Sequence, residues 1–168
     1  MTTDKIYLVG FMGAGKSVVA RALGRRLDWP TTDIDELIER RERQTVADVF
    51  ARKGEAYFRA AERAVLVAQL QRRHVVVATG GGTFIDPHNR AMITQDGLTI
   101  WLDVPLERLI ARVPADGRRP LAADRQEFER LFLLRRTAYE QAHLRIDASR
   151  DSVAGVVDRI LQAVEARA

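Results

Sequence analysis

The sequence predicts an α/β fold in which helices cover both faces of a parallel β-sheet. Short apolar runs alternate along the chain with longer segments of helical spacing, which is the pattern of parallel strands joined by crossover helices. The apolar run over residues 75–79 has no alternating polar positions, as expected of a strand buried on both faces. Three amphipathic segments follow the second predicted strand, and we expect such an insertion to lie over the carboxyl edge of the sheet, where ligands bind.

The first half of the chain is predicted to contain two strands and four helices. Residues 6–10 form a β-branched apolar run ending at a glycine, and residues 16–27 continue with apolar side chains at helical spacing. A weaker run over residues 29–32 predicts a short second strand. Three helices follow, over residues 35–43, 46–53 and 55–73. The polar pair Gln44–Thr45 separates the first two, and Gly54 separates the last two.

The second half repeats the alternation. The strand over residues 75–79 precedes a helix over residues 87–95, and the apolar strand over residues 98–102 precedes a helix over residues 105–113; both helices begin with a proline. Residues 114–124 lack periodicity and predict a mobile loop. The last elements are a helix, a short strand and a closing helix, over residues 127–143, 144–147 and 152–167.

Length and composition indicate one ordinary globular domain. The chain has 168 residues, of which 46% are apolar and 30% charged, too apolar for disorder. The absence of cysteine excludes disulfides, thiol catalysis and cysteine metal sites. No apolar run approaches the roughly 18 residues of a membrane span, and the N-terminus does not resemble a signal peptide. We expect a single domain over residues 1–168, cytoplasmic and not membrane-bound.

The positive charge comes mainly from arginine. The net charge is +4, and among 27 basic residues only Lys5, Lys16 and Lys53 are lysines. Many arginines are typical of chains that bind nucleic acids or small anions. A genome that favours arginine codons produces the same composition without any such function. Most arginines alternate with acids along predicted helices, as in residues 36–43, which is typical of a solvated surface. We therefore expect no nucleic-acid partner, and a monomer.

The clearest motif lies between the first strand and the first helix. Residues 10–17, GFMGAGKS, match GxxxxGK[ST] at every required position. The backbone N–H groups of such a loop surround a phosphate, Lys16 reaches the outer phosphates, and the Ser17 hydroxyl is placed to ligate Mg²⁺. The motif predicts a nucleoside-triphosphate site. Neither a DxxG nor an NKxD motif occurs, which argues against a regulatory GTPase and favours a small-molecule kinase.

Two aspartates follow the second predicted strand. In an extended segment residues two apart project to one side, so Asp33 and Asp35 are predicted to face the phosphate loop together. One carboxylate would hold the waters of the metal, and the other would take the proton of the acceptor. The alternative is that one of them caps the next helix.

Two further segments are candidates for ligand contact. Residues 79–83, TGGGT, follow a buried strand, and three glycines permit another molecule to approach the backbone closely. In the predicted loop, RRPL at residues 118–121 carries Arg119, which is placed to neutralise charge on a transferring phosphoryl group. The alternative for Arg119 is solvated surface.

Taken together, the sequence resembles the shikimate kinases over essentially its whole length. The resemblance rests on these segments in order: GFMGAGKS, DID, ELIERRERQTVADVFARKGEAYFRAAE, ATGGG, RRPL and LLRRTAYEQAHLRIDAS. It implies a three-layer P-loop kinase fold with a five-stranded parallel sheet of order 2-3-1-4-5. It also implies transfer of the γ-phosphate of Mg-ATP to the 3-hydroxyl of shikimate, a helical substrate-binding subdomain at about residues 34–62 and a lid at about residues 114–124.

The resemblance also implies a role for each matching residue. On the nucleotide side, Lys16 would hold the β- and γ-phosphates, and Ser17 and Asp33 would serve Mg²⁺. The other nucleotide contacts implied are Gly13, Ala14, Gly15, Val18, Arg112, Arg119 and Arg150. Lys16, Asp35 and Arg119 would be the catalytic residues.

On the acceptor side, Asp35 would bind the hydroxyls of shikimate and orient or deprotonate the attacking one. Arg59 and Arg135 would pair with the carboxylate of shikimate. The remaining acceptor contacts implied are Phe50, Phe58, Glu62, Gly80, Gly81 and Gly82. Arg135 is chosen because it stands four residues before Tyr139. Thr137 and Ala138 differ from the family motif there, which leaves Arg136 as the alternative.

Two other functions are compatible with these motifs. A kinase of a related carboxylated cyclitol, such as an aminoshikimate, would need the same phosphate loop and the same arginines. A catalytically idle nucleotide-binding module that binds nucleic acid through its arginines would keep the loop without needing Asp35, Arg59 or Arg119.

Overall fold

The computed structural model describes residues 3–112 and 125–168. Its strands are β1 (Lys5–Val9), β2 (Thr31–Asp33), β3 (Val75–Ala78), β4 (Leu98–Asp103) and β5 (Leu144–Asp147). Its α-helices are α1 (Lys16–Leu27), α2 (Ile34–Glu42), α3 (Val46–Gln69), α4 (Pro87–Asp96), α5 (Leu106–Arg112), α6 (Arg125–Tyr139) and α7 (Val153–Arg167). A single 3₁₀ turn, Thr83–Ile85, lies between β3 and α4.

The five strands form one parallel sheet in the order β2-β3-β1-β4-β5. This confirms the predicted fold class and strand order. Strands β1, β3 and β4 are buried along their whole length, as expected where helices cover both faces. Because the winding direction reverses beside β1, the loops after the strands diverge there and leave a crevice at the carboxyl edge.

The register of the sheet brings three distant segments to one level. Asp33 at the end of β2 is level with Ala78 of β3, and Ala78 is level with Leu8 of β1. The phosphate loop, the segment containing Asp35 and the triple-glycine loop therefore start side by side at the carboxyl edge.

Helices α2 and α3 form the predicted insertion above this edge. Gly54 has φ 85° and ψ 170°, so it breaks α3 into two helical segments at the predicted position. The hydroxyl of Thr45 accepts a hydrogen bond from the N–H of Asp48 at 3.1 Å and caps the first segment.

The segment after β2 is helical, and this corrects the geometry predicted for the two aspartates. Asp33 caps α2, because its Oδ1 accepts a hydrogen bond from the N–H of Glu36 at 3.2 Å. Asp35 consequently lies in the first turn of α2 and does not project from a strand beside Asp33. The capping alternative is therefore correct for Asp33, which nevertheless also lines the crevice.

Strand β1 begins at Lys5, one residue before the predicted start, although the Lys5 side chain is fully buried. Its Nζ lies 2.5 Å from Oδ2 of Asp96, which also accepts a hydrogen bond from Tyr7, and Oδ1 of Asp96 accepts one from Arg73. The apolar pattern could not reveal this strand start, because a distant carboxylate provides the partner that lets the lysine enter the sheet.

The predicted lid over residues 114–124 and its Arg119 lie outside the described residues. In the part of the chain that the structure does describe, no helix is both long enough and apolar enough to cross a membrane.

Candidate active site

A cavity of about 940 Å³ opens at the carboxyl edge of the sheet. Its walls come from the phosphate loop, the start of α2, both segments of α3 and the triple-glycine loop. These are the segments that the parallel register places side by side. The position matches the general rule that open α/β sheets bind ligands where the strand order reverses.

The phosphate loop is shaped for an anion. Gly15, which precedes α1, has φ 93°, a conformation that residues with a Cβ rarely adopt. The first turn of α1 carries no acidic side chain, so the positive end of the helix dipole is not neutralised there. The ammonium of Lys16 donates hydrogen bonds to the carbonyls of Gly10 at 2.5 Å and Phe11 at 2.9 Å, which hold it at the loop.

Ser17 and Asp33 place two oxygen atoms that can ligate a metal ion side by side at the cavity. The hydroxyl of Ser17 donates a hydrogen bond to Oδ2 of Asp33. Hydroxyl and carboxylate oxygens suit Mg²⁺, which commonly binds one or two protein oxygens together with waters and phosphate oxygens. Within residues 3–112 and 125–168, no group of three or more histidines and acids could hold a metal ion by itself. The donor set therefore fits a Mg²⁺ that is shared with a nucleotide.

Asp35 lies in the cavity close to other carboxylates. Burial and the negative charge of Asp33 raise the pKa of Asp35 to about 6, although the positive charge of Lys16 lowers it. Glu62 and Glu39 raise it further. A carboxylate with a pKa near neutrality is suited to accept a proton at physiological pH.

Arg59 is held by contacts along the second segment of α3. Its Nη1 donates to both carboxylate oxygens of Glu62, at 3.0 and 3.2 Å, and its Nε lies 3.7 Å from Glu55. The guanidinium also lies over the rings of Phe58 and Phe50, with 5.2 and 6.0 Å to the ring centroids. These two rings pack on each other with centroids 4.5 Å apart and form an apolar wall. Arg59 is thereby oriented while its side chain stays 29% exposed.

The structure distinguishes between the two adjacent arginines of α6. Arg135 lines the cavity and is buried over the ring of Phe11, whereas Arg136 pairs with Asp103 and Glu140 outside it. Burial lowers the pKa of the Arg135 guanidinium, and the nearby positive charge of Arg59 acts in the same direction. Two guanidiniums in one cavity provide a site for a carboxylate or phosphate.

The three glycines after β3 each lie against one of these charged groups. A Cβ built on Gly80 would lie 2.7 Å from Oδ1 of Asp35, and one on Gly81 would lie 3.0 Å from Nη1 of Arg135. A Cβ on Gly82 would lie 2.4 Å from Nη2 of Arg59. One short stretch of backbone therefore runs from the carboxylate past both guanidiniums, and side chains there would displace these groups.

The cavity includes most of the predicted nucleotide residues. Gly13, Gly15 and Val18 line it, and Arg112 donates a hydrogen bond to the carbonyl of Gly13 at 3.3 Å. Ala14 is a buried residue of the loop itself, and its N–H donates to the carbonyl of Phe11 at 3.2 Å. Arg150 is exposed and does not line the described cavity, so its adenine-side contact stays a prediction.

Sequence reasoning missed Glu39, Tyr139 and Thr83. Glu39 lies four residues after Asp35 on α2, so helical spacing was a sufficient signal for its place at the cavity. The hydroxyl of Tyr139 donates to the carbonyl of Gly81, and Thr83 binds Glu62. No local pattern indicated these two contacts, because both join segments that are distant in the sequence.

Comparisons with known proteins agree with this fold. A family model described as shikimate kinase matches residues 12–165. A shikimate kinase of Persephonella marina is 41% identical over 157 residues, covering 93% of this chain and 96% of the relative. One of Sulfurihydrogenibium sp. is 38% identical over 163 residues, covering 96% and 98%. The solved structure of the Acinetobacter baumannii shikimate kinase in complex with shikimate has a TM-score of 0.94 and 34% identity, covering 99% of this chain and 95% of that one.

Proposed function

This chain belongs to the shikimate kinase family, and we propose that its cavity holds ATP at the phosphate loop and shikimate between Asp35 and the two arginines. The chain transfers the γ-phosphate of ATP to shikimate. The triple-glycine loop supports this assignment of residues most strongly. It lies against the carboxylate of Asp35 at one end and against the guanidiniums of Arg135 and Arg59 further along. Shikimate has the matching chemistry, hydroxyls on one side of its ring and a carboxylate on the other.

The phosphate loop is proposed to hold the donor. Its backbone N–H groups and the N-terminus of α1 face the β- and γ-phosphates, and Lys16 adds a positive charge to them. Mg²⁺, held by Ser17 and by Asp33 through water, would neutralise charge on the phosphates when bound. Arg112, Val18 and Arg150 are proposed to contact the nucleotide beyond its phosphates, and Arg119 to contact the transferring group.

The helical insertion, at about residues 34–62, is proposed as the acceptor-binding subdomain. Arg59 and Arg135 pair with the carboxylate, and Phe50 and Phe58 cover the apolar side of the ring. Glu62 and Glu55 pair with Arg59, whereas Arg135 has no carboxylate within ion-pair distance among the described residues, so a bound carboxylate gives Arg135 its counter-charge. One chain supplies all these groups, and we propose the monomer as the active form.

Asp35 is proposed to accept the proton of the 3-hydroxyl as that oxygen attacks the γ-phosphorus. The bond to the bridging oxygen of ADP breaks in the same displacement, and charge moves onto that oxygen beside Lys16. Two loop carbonyls hold the Lys16 ammonium at the phosphate loop, so its positive charge lies close to where this negative charge develops.

Release of ADP from Mg-ATP, measured with and without shikimate, tests the function. We expect strong stimulation by shikimate and formation of a singly phosphorylated product. Stimulation by an amino analogue in place of shikimate would keep the mechanism and replace the acceptor. If ATP binds and no acceptor stimulates its use, the idle-module alternative gains support, and salt-dependent binding of DNA or RNA becomes the next measurement.

The pH dependence follows from the raised pKa of Asp35. Because the base must be ionised, kcat/KM for shikimate is expected to fall tenfold per pH unit below about pH 6 and to be level just above it. The measurement is kcat/KM for shikimate from about pH 5 to 8 at Mg-ATP concentrations well below its KM, so that the profile reflects Asp35 before nucleotide and metal bind. A profile that stays level down to about pH 4.5 would contradict a base with the raised pKa of Asp35.

Substitution of Gly82 tests the close approach of the loop to Arg59. Gly82 has φ −103°, which alanine adopts readily, so Gly82→Ala should fold normally. The new methyl group displaces the guanidinium, and we expect kcat/KM for shikimate to fall about 10- to 100-fold. The KM for ATP should stay the same. A variant with unchanged kcat/KM would show that the position of Arg59 does not limit acceptor use.

A further inference from the structure

Thr83 makes a hydrogen-bonded connection in the interior of the acceptor site. Its side chain is fully buried at the start of the 3₁₀ turn after the three glycines. Its hydroxyl oxygen accepts a hydrogen bond from the N–H of Gly80 at 3.0 Å and donates one to Oε2 of Glu62 at 2.9 Å. Every hydrogen-bonding group in this connection has a partner, and Thr83 itself does not line the cavity.

The connection joins both ends of the proposed acceptor site. Glu62 is 1% exposed and holds Arg59 through both of its carboxylate oxygens. Gly80 is the glycine that lies against Asp35, and a Cβ on it would lie 3.3 Å from the Thr83 hydroxyl. The Thr83 hydroxyl thus ties the backbone beside Asp35 to the carboxylate that orients Arg59.

We propose that Thr83 is a positioning residue for acceptor binding, fixing the placement of Arg59 relative to Asp35. This inference rests on the proposed function. Without the hydroxyl, Glu62 loses one of its two partners among the described residues and can rotate with Arg59, and the buried N–H of Gly80 loses its acceptor. The phosphate loop has no part in this connection, so nucleotide binding should not respond.

The test compares Thr83→Val, which keeps the shape and removes the hydroxyl, with Thr83→Ser, which keeps the hydroxyl. We expect the valine variant to raise the KM for shikimate about tenfold. The KM for ATP should change less than about twofold. The serine variant should restore the KM for shikimate. Thr83→Ala provides the same comparison if the valine variant does not fold.

Thr99→Val is the matched control for loss of a buried threonine hydroxyl. Thr99 is fully buried in β4, where its hydroxyl accepts a hydrogen bond from the N–H of His143 at 2.9 Å, and it does not line the cavity. Its loss should lower the melting temperature by a few degrees, as for Thr83→Val. The KM for shikimate should not change.

A double-mutant cycle with Glu62→Gln completes the test. If Thr83 acts through Glu62, the KM effects of the two substitutions should combine to much less than their product. An unchanged KM for shikimate in Thr83→Val, or equal rises in both KM values, would overturn the inference while wild-type turnover upholds the proposed function. A wild type that does not phosphorylate shikimate would overturn both.

Discussion

Asp35→Asn is expected to lower kcat about 10²- to 10⁴-fold while ATP affinity stays nearly unchanged. Asparagine keeps the size of the side chain and its place in the first turn of α2, but it cannot take the proton of the attacking hydroxyl. Asp35 is also not a member of the Ser17–Asp33 pair that suits the metal. Steady-state kinetics with shikimate, together with calorimetric titration of the nucleotide, separates the two effects.

Glu36→Gln is the matched control, since it makes the same carboxylate-to-amide change at the next residue. Glu36 is exposed, and its only ion pair within the described residues is a 3.8 Å contact with Arg21. Its turnover should equal that of the wild type. If Asp35→Asn keeps wild-type turnover, Asp35 has no role in proton transfer.

The same substitution should stabilise the folded protein at neutral pH. The raised pKa of Asp35 means that its ionised form is less favourable in the folded state than in the unfolded chain. Above about pH 6 the ionised Asp35 therefore lowers the free energy of unfolding of the wild type by about 1–2 kcal/mol, after allowing for solvent in the cavity. Asparagine has no such effect. The gain should disappear below about pH 4, where Asp35 is protonated in both states. Such a gain accompanying lost turnover is typical of active-site groups.

Arg59→Ala is expected to weaken the use of shikimate by about 2–5 kcal/mol in kcat/KM, because it removes half of the carboxylate site. It also leaves Glu62 buried without its cation, and the uncompensated negative charge would repel the acceptor carboxylate. The KM for ATP should stay close to the wild-type value. The measurement is kcat/KM for each substrate with the other at saturation.

Arg63→Ala, one helical turn further along α3, is the control for the loss of an arginine. Arg63 is exposed and pairs with Asp86 at 2.6 Å, away from the cavity. Surface pairs of this kind contribute at most about 1 kcal/mol to stability, and acceptor kinetics should not change. Equal effects of Arg59→Ala and Arg63→Ala would remove Arg59 from the carboxylate site.

The fold was predictable because its strands carry strong local signals. Apolar runs identify β3 and β4, and Gly54 breaks α3 where glycine predicted a break. The start of β1 was not predictable, since the buried charge of Lys5 depends on Asp96, far along the chain. The sequence offered the capping role of Asp33 as an alternative, but local pattern could not decide between an extended segment and a helix directly after β2.

The site was predictable where a motif fixes the chemistry and less so where packing does. The phosphate-loop motif places Lys16 and Ser17 at the cavity, and the spacing from Tyr139 selects Arg135, which lines it. The connection through Thr83 and the raised pKa of Asp35 depend on groups from several elements. Such effects arise only once the chain is folded.

The exposed arginines agree with the interpretation of mixed charge as solvated surface. Arg26, Arg130 and Arg159 pair with acids at 2.8, 2.6 and 2.7 Å. In each pair the acid neutralises a positive charge that could otherwise attract the phosphates of a nucleic acid. The two arginines proposed for the acceptor carboxylate differ from these. Arg59 pairs with Glu55 and Glu62, which line the cavity, and Arg135 has no carboxylate within ion-pair distance among the described residues.

We propose that the carboxylate of shikimate lies at Arg59 while its reacting hydroxyl lies at Asp35. The most direct test compares kcat/KM for shikimate and for its methyl ester, in the wild type and in Arg59→Ala. We predict that the ester is about 100-fold poorer than shikimate in the wild type. In Arg59→Ala this penalty should shrink to within about tenfold, because the partner of the carboxylate is gone. An equal ester penalty in both proteins would show that the carboxylate of shikimate does not bind at Arg59.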